Sequence, residues 1–264
     1  MANSNPVMSA GSAWLACRQR RPDAAVRLYC FPHAGGSPGE YVRWSDWLPG
    51  IEVWGVQLPG RGPRMAEESY RRVDALVEAI ADSVAFRPPF ALFGHSLGAV
   101  VAFETARVLR DRGGPTPEAL ILSAYHAPHL SNTTPEVHRL PDEQLWPIVE
   151  RQFGELSPEL HDDLDFRQLI LAYHRADFEM IETYRYAEGP PLSLPLTVVG
   201  GREDYPEDML RAWRRHTTGP FAMQLFTGDH FYLRNQRDGL LRFITSTLAN
   251  RSHSSMAVSL RTAG

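Results

Sequence analysis

The stretch FALFGHSLGAVVAFETARVLRDRGG, residues 90–114, decides the fold. The apolar run Phe90–Phe93 leads into Gly94-His95-Ser96-Leu97-Gly98. A short apolar run bounded by glycine reads as a buried strand. A helix is expected next, over Leu97–Arg112. Val100, Val101, Ala102, Phe103, Ala106, Val108 and Leu109 are apolar, while Glu104, Arg107 and Asp111 fall at 3–4 spacing on one narrow face. A helix apolar nearly all round packs deeply against a sheet. Arg110 and Arg112 complement its C-terminal dipole, and Gly113-Gly114 ends it. The chain therefore passes from strand to helix through Ser96.

Outward from that turn, short apolar runs alternate with helical patterns, which points to a mainly parallel α/β sheet. Expected strands are Trp14–Arg18, Val26–Phe31, Glu52–Gln57, Phe90–Phe93, Ala119–Ser123, Leu196–Val199 and Ala222–Phe226. Expected helices are Tyr41–Leu48, Val73–Ala85, Leu97–Arg112, Pro206–His216 and Asp238–Ala249. One domain, 14–249, is expected between disordered tails at 1–13 and 250–264. The alternation breaks between about 131 and 191, where no good strand occurs. Leu145, Ile148, Val149 and Phe153 fit one amphipathic helix; Phe166, Leu169, Ile170, Tyr173, Met180, Ile181 and Tyr184 fit a longer one. This insertion reads as a helical cap over one end of the sheet; a purely structural hairpin is the alternative.

Composition excludes several classes. At 264 residues and 43% hydrophobic, the chain can build a sizeable core. Its net charge of −4 gives no footprint for nucleic acid. All 27 basic residues are arginine, so lysine Schiff-base and P-loop chemistry are excluded. Cys17 and Cys30 make no disulfide scaffold, and Cys30 reads as a buried free thiol. No run approaches the ~18 apolar residues of a membrane span, and the N-terminus does not read as a signal peptide. A cytoplasmic monomer is expected.

G-x-S-x-G carries chemistry only between a strand and a helix. There the turn exposes the serine Oγ, and the helix N-terminus offers dipole and the Leu97 N–H. A Gly-rich turn with a satisfied hydroxyl is the bland alternative. A serine nucleophile needs a base. His230, in TGDHFY (227–232), follows the last expected strand and shares the edge of Ser96. His95 points elsewhere and buttresses the turn, and His216 is expected in solvent. His126 and His129 form H-x-x-H without neighbouring Cys or Glu, so no metal site is expected. Asp204, after the strand Leu196–Val199, is the orienting carboxylate; Glu203 is its rival, and Asp208 falls in the following helix. FPHAGGS (31–37) could add a second oxyanion amide, or simply cap the next helix.

FPHAGGS (31–37), QLPGRGPR (57–64), GHSLG (94–98), GGREDYPEDMLRAW (200–213) and GDHFYL (228–233) occur in this order. Over roughly residues 14–247 the chain resembles a stand-alone type II thioesterase of polyketide or nonribosomal-peptide synthesis. The resemblance implies an α/β-hydrolase fold with a helical lid insertion, a Ser96–Asp204–His230 triad, and Ala34 and Leu97 as oxyanion amides. It also implies an acyl thioester on the phosphopantetheine of an acyl or peptidyl carrier protein, with no cofactor of the enzyme's own, and an editing role. Two departures stand out. Asp229 stands where relatives commonly have glycine; pointing inward, it would raise the pKa of His230. Gly62-Pro63 replaces a glutamate often found in the loop. The competing readings are a carboxylesterase or lipase, a chain-releasing thioesterase, and a catalytically dead carrier-binding protein. Arg71-Arg72 and Arg214-Arg215 could dock an acidic carrier, but read first as solvated charge.

Overall fold

The computed structural model describes residues 7–8, 13–130, 136–153 and 163–259, with backbone alone at 7, 8, 153 and 250–259. The strands are β1 (Val7–Met8), β2 (Leu15–Cys17), β3 (Val26–Phe31), β4 (Ile51–Val56), β5 (Phe90–His95), β6 (Ala119–Ser123), β7 (Leu196–Gly201) and β8 (Phe221–Phe226). They form one sheet in the order β1-β2-β4-β3-β5-β6-β7-β8. β1 and β2 pair antiparallel, and every pairing from β4 to β8 is parallel. The α/β expectation holds, with β1 as an added edge strand inside the segment expected to be disordered.

Period-two alternation sends the strand side chains into two cores. Tyr29, Phe31, Phe90, Leu92, Leu120 and Leu122 enter one; Leu28, Cys30, Ala91, Phe93, Ala119 and Ile121 enter the other. Both faces are covered, so the central strands are continuously apolar. The first core is roofed by α2 (Val73–Ser83) and α3 (Leu97–Asp111), the second by α1 (Pro38–Val42) and α8 (Arg237–Ser259). β5 lies between β3 and β6, whereas β4 lies on the other side of β3. The chain order therefore reverses between β3 and β5. Loops leaving the C-terminal ends of those strands diverge and leave a crevice there.

The insertion is helical as expected, with α4 (Asp142–Phe153) and α5 (Leu164–Thr183); residues 131–135 and 154–162 of it lie outside the described residues. The first crossover helix starts at Pro38, three residues before the expected Tyr41, because proline at the first helical turn has a preset φ. It tightens to a 3-10 turn over Arg43–Asp46. The expected helix over 206–216 is likewise α6 (Glu207–Arg211) followed by a 3-10 turn, Ala212–His216. The backbone of α8 continues to Ser259, beyond the expected end at 249, since 250–259 holds neither proline nor glycine. Of the expected tails, 1–6, 9–12 and 260–264 lie outside the described residues.

His216 is buried rather than solvated. It packs edge-on against Phe103, Trp213 and Tyr186, and its Nε2 lies 2.7 Å from His129 Nδ1. Burial, with neighbouring positive charge, pushes His216 down to about 4; burial pushes His33 to about 3 and His174 to about 4. Unfolded histidine takes up a proton near ~6.5, while these folded rings refuse it. The unfolded state then binds more protons, so stability falls as pH drops from about 6.5 towards about 4. The slope approaches about 1.4 kcal/mol per pH unit for each such histidine. A melting temperature followed by circular dichroism should therefore fall steadily from pH 7 to pH 5; a flat profile contradicts this account.

Candidate active site

Ser96 joins β5 to α3 at φ +54° and ψ −119°, a backbone conformation that non-glycine residues rarely adopt. The surroundings enforce it. A Cβ on Gly94 would lie 1.9 Å from the Gly98 carbonyl oxygen, and one on Gly98 would lie 2.1 Å from that of Phe31. Glycine at both positions lets the N-terminus of α3 press against the ends of β5 and β3 at once. Ser96 N–H donates to the Ser123 carbonyl at 2.8 Å, tying the turn to β6. The Ser96 side chain makes no capping bond to α3 and is only partly buried. The first amides of a helix lack intrahelical partners, so the Leu97 N–H is available beside it.

Ala34 sits in the loop after β3, at the other side of the crevice. It is buried, within a turn closed by a 2.8 Å bond from Gly36 N–H to the His33 carbonyl. His33 beneath the turn bonds Tyr41 Oη through Nδ1 at 3.1 Å.

Asp204 and His230 come from adjacent loops, after β7 and β8. Arg202 N–H donates to the Phe226 carbonyl and Glu203 N–H to that of Gly228, which zips these loops together. His230 Nδ1 lies 3.0 Å from each Asp204 carboxylate oxygen. An ionised carboxylate only accepts, so Nδ1 carries the proton and Nε2 keeps its lone pair. The Asp204 side chain is 13% exposed and that of His230 31%. Glu203, the rival carboxylate, faces solvent, as does Asp208.

His95 carries the site from below. Its ring lies 5.2 Å from that of His230 and 5.7 Å from that of His33. Its Nδ1 bonds Ser123 Oγ at 2.8 Å, and that oxygen lies 2.9 Å from Tyr232 Oη. This chain fastens the end of β5 to β6 and to α7 (Tyr232–Asn235), just beyond the His230 loop. Burial holds His95 well below its ordinary pKa, so it is neutral at pH 7. The expected buttress is therefore present.

Asp229 is exposed and accepts the Phe231 N–H at 2.9 Å, so it serves its own turn. His126 is buried against Tyr125 and bonds the Ala127 carbonyl, while His129 pairs with His216. No group of three or more metal-ligating side chains occurs among the described residues.

The thioesterase-domain family matches residues 26–248. The chain belongs to that family. It is 39% identical over 242 residues to thioesterase PikA5 of Streptomyces venezuelae, covering 88% of this chain and 84% of that one. It is 38% identical over 244 residues to a Brevibacillus parabrevis protein named linear gramicidin dehydrogenase LgrE, covering 90% and 93%. That name describes another chemistry, but no G-x-G-x-x-G dinucleotide fingerprint occurs in this sequence. The type II thioesterase BorB of the borrelidin biosynthetic cluster superposes with a TM-score of 0.81 at 36% identity, over 93% of this chain and 100% of that chain. The thioesterase thus has a thioester hydrolase's fold, on which Ser96, Asp204 and His230 follow β5, β7 and β8 at one sheet edge.

Two residues of the site escaped the sequence reading. Arg61 lies inside QLPGRGPR (57–64) with no signal of its own, and Asp177 lies within α5 without a local signature. Both reach the loop of Ala34.

The thioesterase should lose about 10⁴-fold in kcat on Asp204→Asn, which stabilises the wrong histidine tautomer. Glu203→Gln should stay within about twofold of wild type, as exposed side chains away from the reacting groups do. Steady-state kinetics of both variants check this, and equal losses would reject the assignment to Asp204.

Proposed function

We propose that Ser96, His230 and Asp204 act as nucleophile, base and orienting carboxylate on acyl thioesters held by the phosphopantetheine arm of acyl or peptidyl carrier proteins. The enzyme would free carrier arms that stalled or misprimed acyl groups have blocked. The observation that carries the reading is the grip of Asp204 on His230 Nδ1, set beside a serine held in a strained strand-to-helix turn. The match to type II thioesterases over nearly the whole chain supports the substrate class.

In this mechanism Ser96 Oγ attacks the thioester carbonyl carbon as His230 Nε2 takes its proton. The carbonyl π pair moves to oxygen, where the Leu97 and Ala34 N–H groups stabilise it. The C–S bond then breaks, and His230 returns the proton to the departing thiol. Water repeats the sequence on the acyl-serine: His230 takes its proton, the acid leaves, and Ser96 regains its hydrogen. Asp204 stabilises the imidazolium in both halves without itself becoming protonated. The chemistry needs no metal or cofactor of the enzyme's own.

The lid touches two of the loops it covers. Arg234, on α7, donates to the Gln152 carbonyl of α4 at 3.0 Å, and α5 reaches the Ala34 loop. Such a cover keeps bulk water from the acyl-serine until substrate is seated. Arg71 pairs with Glu179, Arg72 with Asp74 and Arg215 with Glu188, while Arg214 holds the Thr217 carbonyl. The arginine pairs are thus engaged locally, as solvated charge. Among the described residues no helix is long and apolar enough to cross a membrane. The reading places the enzyme in the cytoplasm, which the two unbridged cysteines, Cys17 and Cys30, fit.

The test is acid release from an acyl-phosphopantetheinyl carrier protein by wild type and by Ser96→Ala. Wild type alone should release acid, with the variant down by about 10⁴-fold or more. Cleavage of simple oxygen esters without any release from the carrier would reject the carrier reading and favour a general esterase.

A further inference from the structure

The loop that bears Ala34 is held from the lid. The turn His33–Gly36 has Gly35 at φ +75°, the value of the third position in a type II β-turn. A type I turn differs chiefly by a flip of the central peptide, between residues 34 and 35. The N–H of that peptide, from Gly35, donates to Asp177 Oδ2 at 2.7 Å. The same carboxylate takes both arms of Arg61, Nη1 on Oδ2 and Nη2 on Oδ1, each at 2.7 Å. Arg61 Nη1 also donates to the Gly36 carbonyl at 3.2 Å. One ion pair thus grips the turn at two backbone groups.

The pair is buried and packed. Asp177 and Arg61 side chains are 1% and 5% exposed. The Arg61 guanidinium lies 4.6 Å from the Tyr173 ring centroid, and Gln57 Nε2 donates to the Arg61 carbonyl at 3.1 Å. One helical turn before Asp177, the His174 ring fills the space above Gly35, where an added Cβ would lie 1.9 Å from Nε2. A buried ion pair is weak evidence for stability, because desolvation offsets the attraction. Its geometry instead matches a need to hold one peptide plane in one orientation.

We propose that Asp177 is a positioning residue for catalysis, a lid carboxylate that fixes the oxyanion turn through Gly35 and Arg61. This rests on the reading of the Ala34 amide as an oxyanion donor. It gives α5 a second role: the helix that covers the site also anchors, through the Gly35 N–H and the Gly36 carbonyl, the turn that carries the second donor.

Asp177→Asn and Asp177→Glu test it. Asn removes the charge pair; Glu keeps the charge but moves the oxygens by one methylene, so it preserves the fold if Asn does not. The readouts are kcat and KM on a small acyl thioester, the affinity of an alkyl boronic acid that forms a tetrahedral adduct with Ser96, and the melting temperature. A misplaced donor should lower kcat by about tenfold to a hundredfold and weaken the boronic acid by a similar factor. KM should stay within about twofold, since ground-state binding does not use the oxyanion site. A lower melting temperature with unchanged kcat and boronic-acid affinity would show that Asp177 only braces the lid, and would overturn the proposal. A KM-only effect would do the same. Failure of wild type on thioesters, with tight boronic-acid binding intact, would instead contradict the thioester reading; the boronic-acid affinities would still decide the role of Asp177.

Discussion

Gly98 has no room for a side chain, because the Phe31 carbonyl occupies the place where its Cβ would stand. That contact brings the start of α3 against the end of β3, and the rest of the site depends on it. It places the Leu97 amide opposite the loop of Ala34. With Gly94 packed on Gly98, it also leaves Ser96 only the conformation at φ +54°. The strain is tolerated because the turn is over-determined: by both glycines, by the bond from Ser96 N–H to Ser123, and by the buried first turns of α3, Leu97–Phe103, behind it. The reversal of strand order between β3 and β5 supplies the crevice.

The remaining parts are brought to that turn by hydrogen bonds rather than by close packing. Backbone bonds between the loops after β7 and β8 set the spacing at which Asp204 grips His230. The His95–Ser123–Tyr232 chain ties the serine side to the histidine side beneath the reacting groups. Above them, Asp177 and Arg61 hold the Ala34 turn. The proposed catalytic groups stand on loops, but each loop is fastened to a neighbour by hydrogen bonds. This is the preorganisation that makes fixed donors effective against developing charge.

Much of this was legible in the sequence because it is local. The strands Val26–Phe31 and Ala119–Ser123 are apolar but for Arg27 and Ser123 and appear with the expected bounds. Ser96, Asp204 and His230 each follow a recognisable strand, so their shared edge could be inferred from chain order. What could not be read is non-local. Asp177 lies 142 positions from Gly35, and nothing in its helix distinguishes it from a solvated carboxylate. The burial of His216 follows from the rings of Phe103, Trp213 and Tyr186, which only the fold assembles. The backbone of β1 pairs with β2 although a small, polar N-terminal sequence reads as a tail.

The central claim is that thioester hydrolysis proceeds through an acyl group on Ser96. The direct measurement is rapid acid quenching of the enzyme during turnover of an acyl thioester, with peptide mapping by mass spectrometry. The account expects the acyl mass on the peptide that contains Ser96, appearing at least as fast as product and disappearing when substrate is exhausted. An acyl group on another residue, or product formed in a Ser96→Ala enzyme at the wild-type rate, would contradict it.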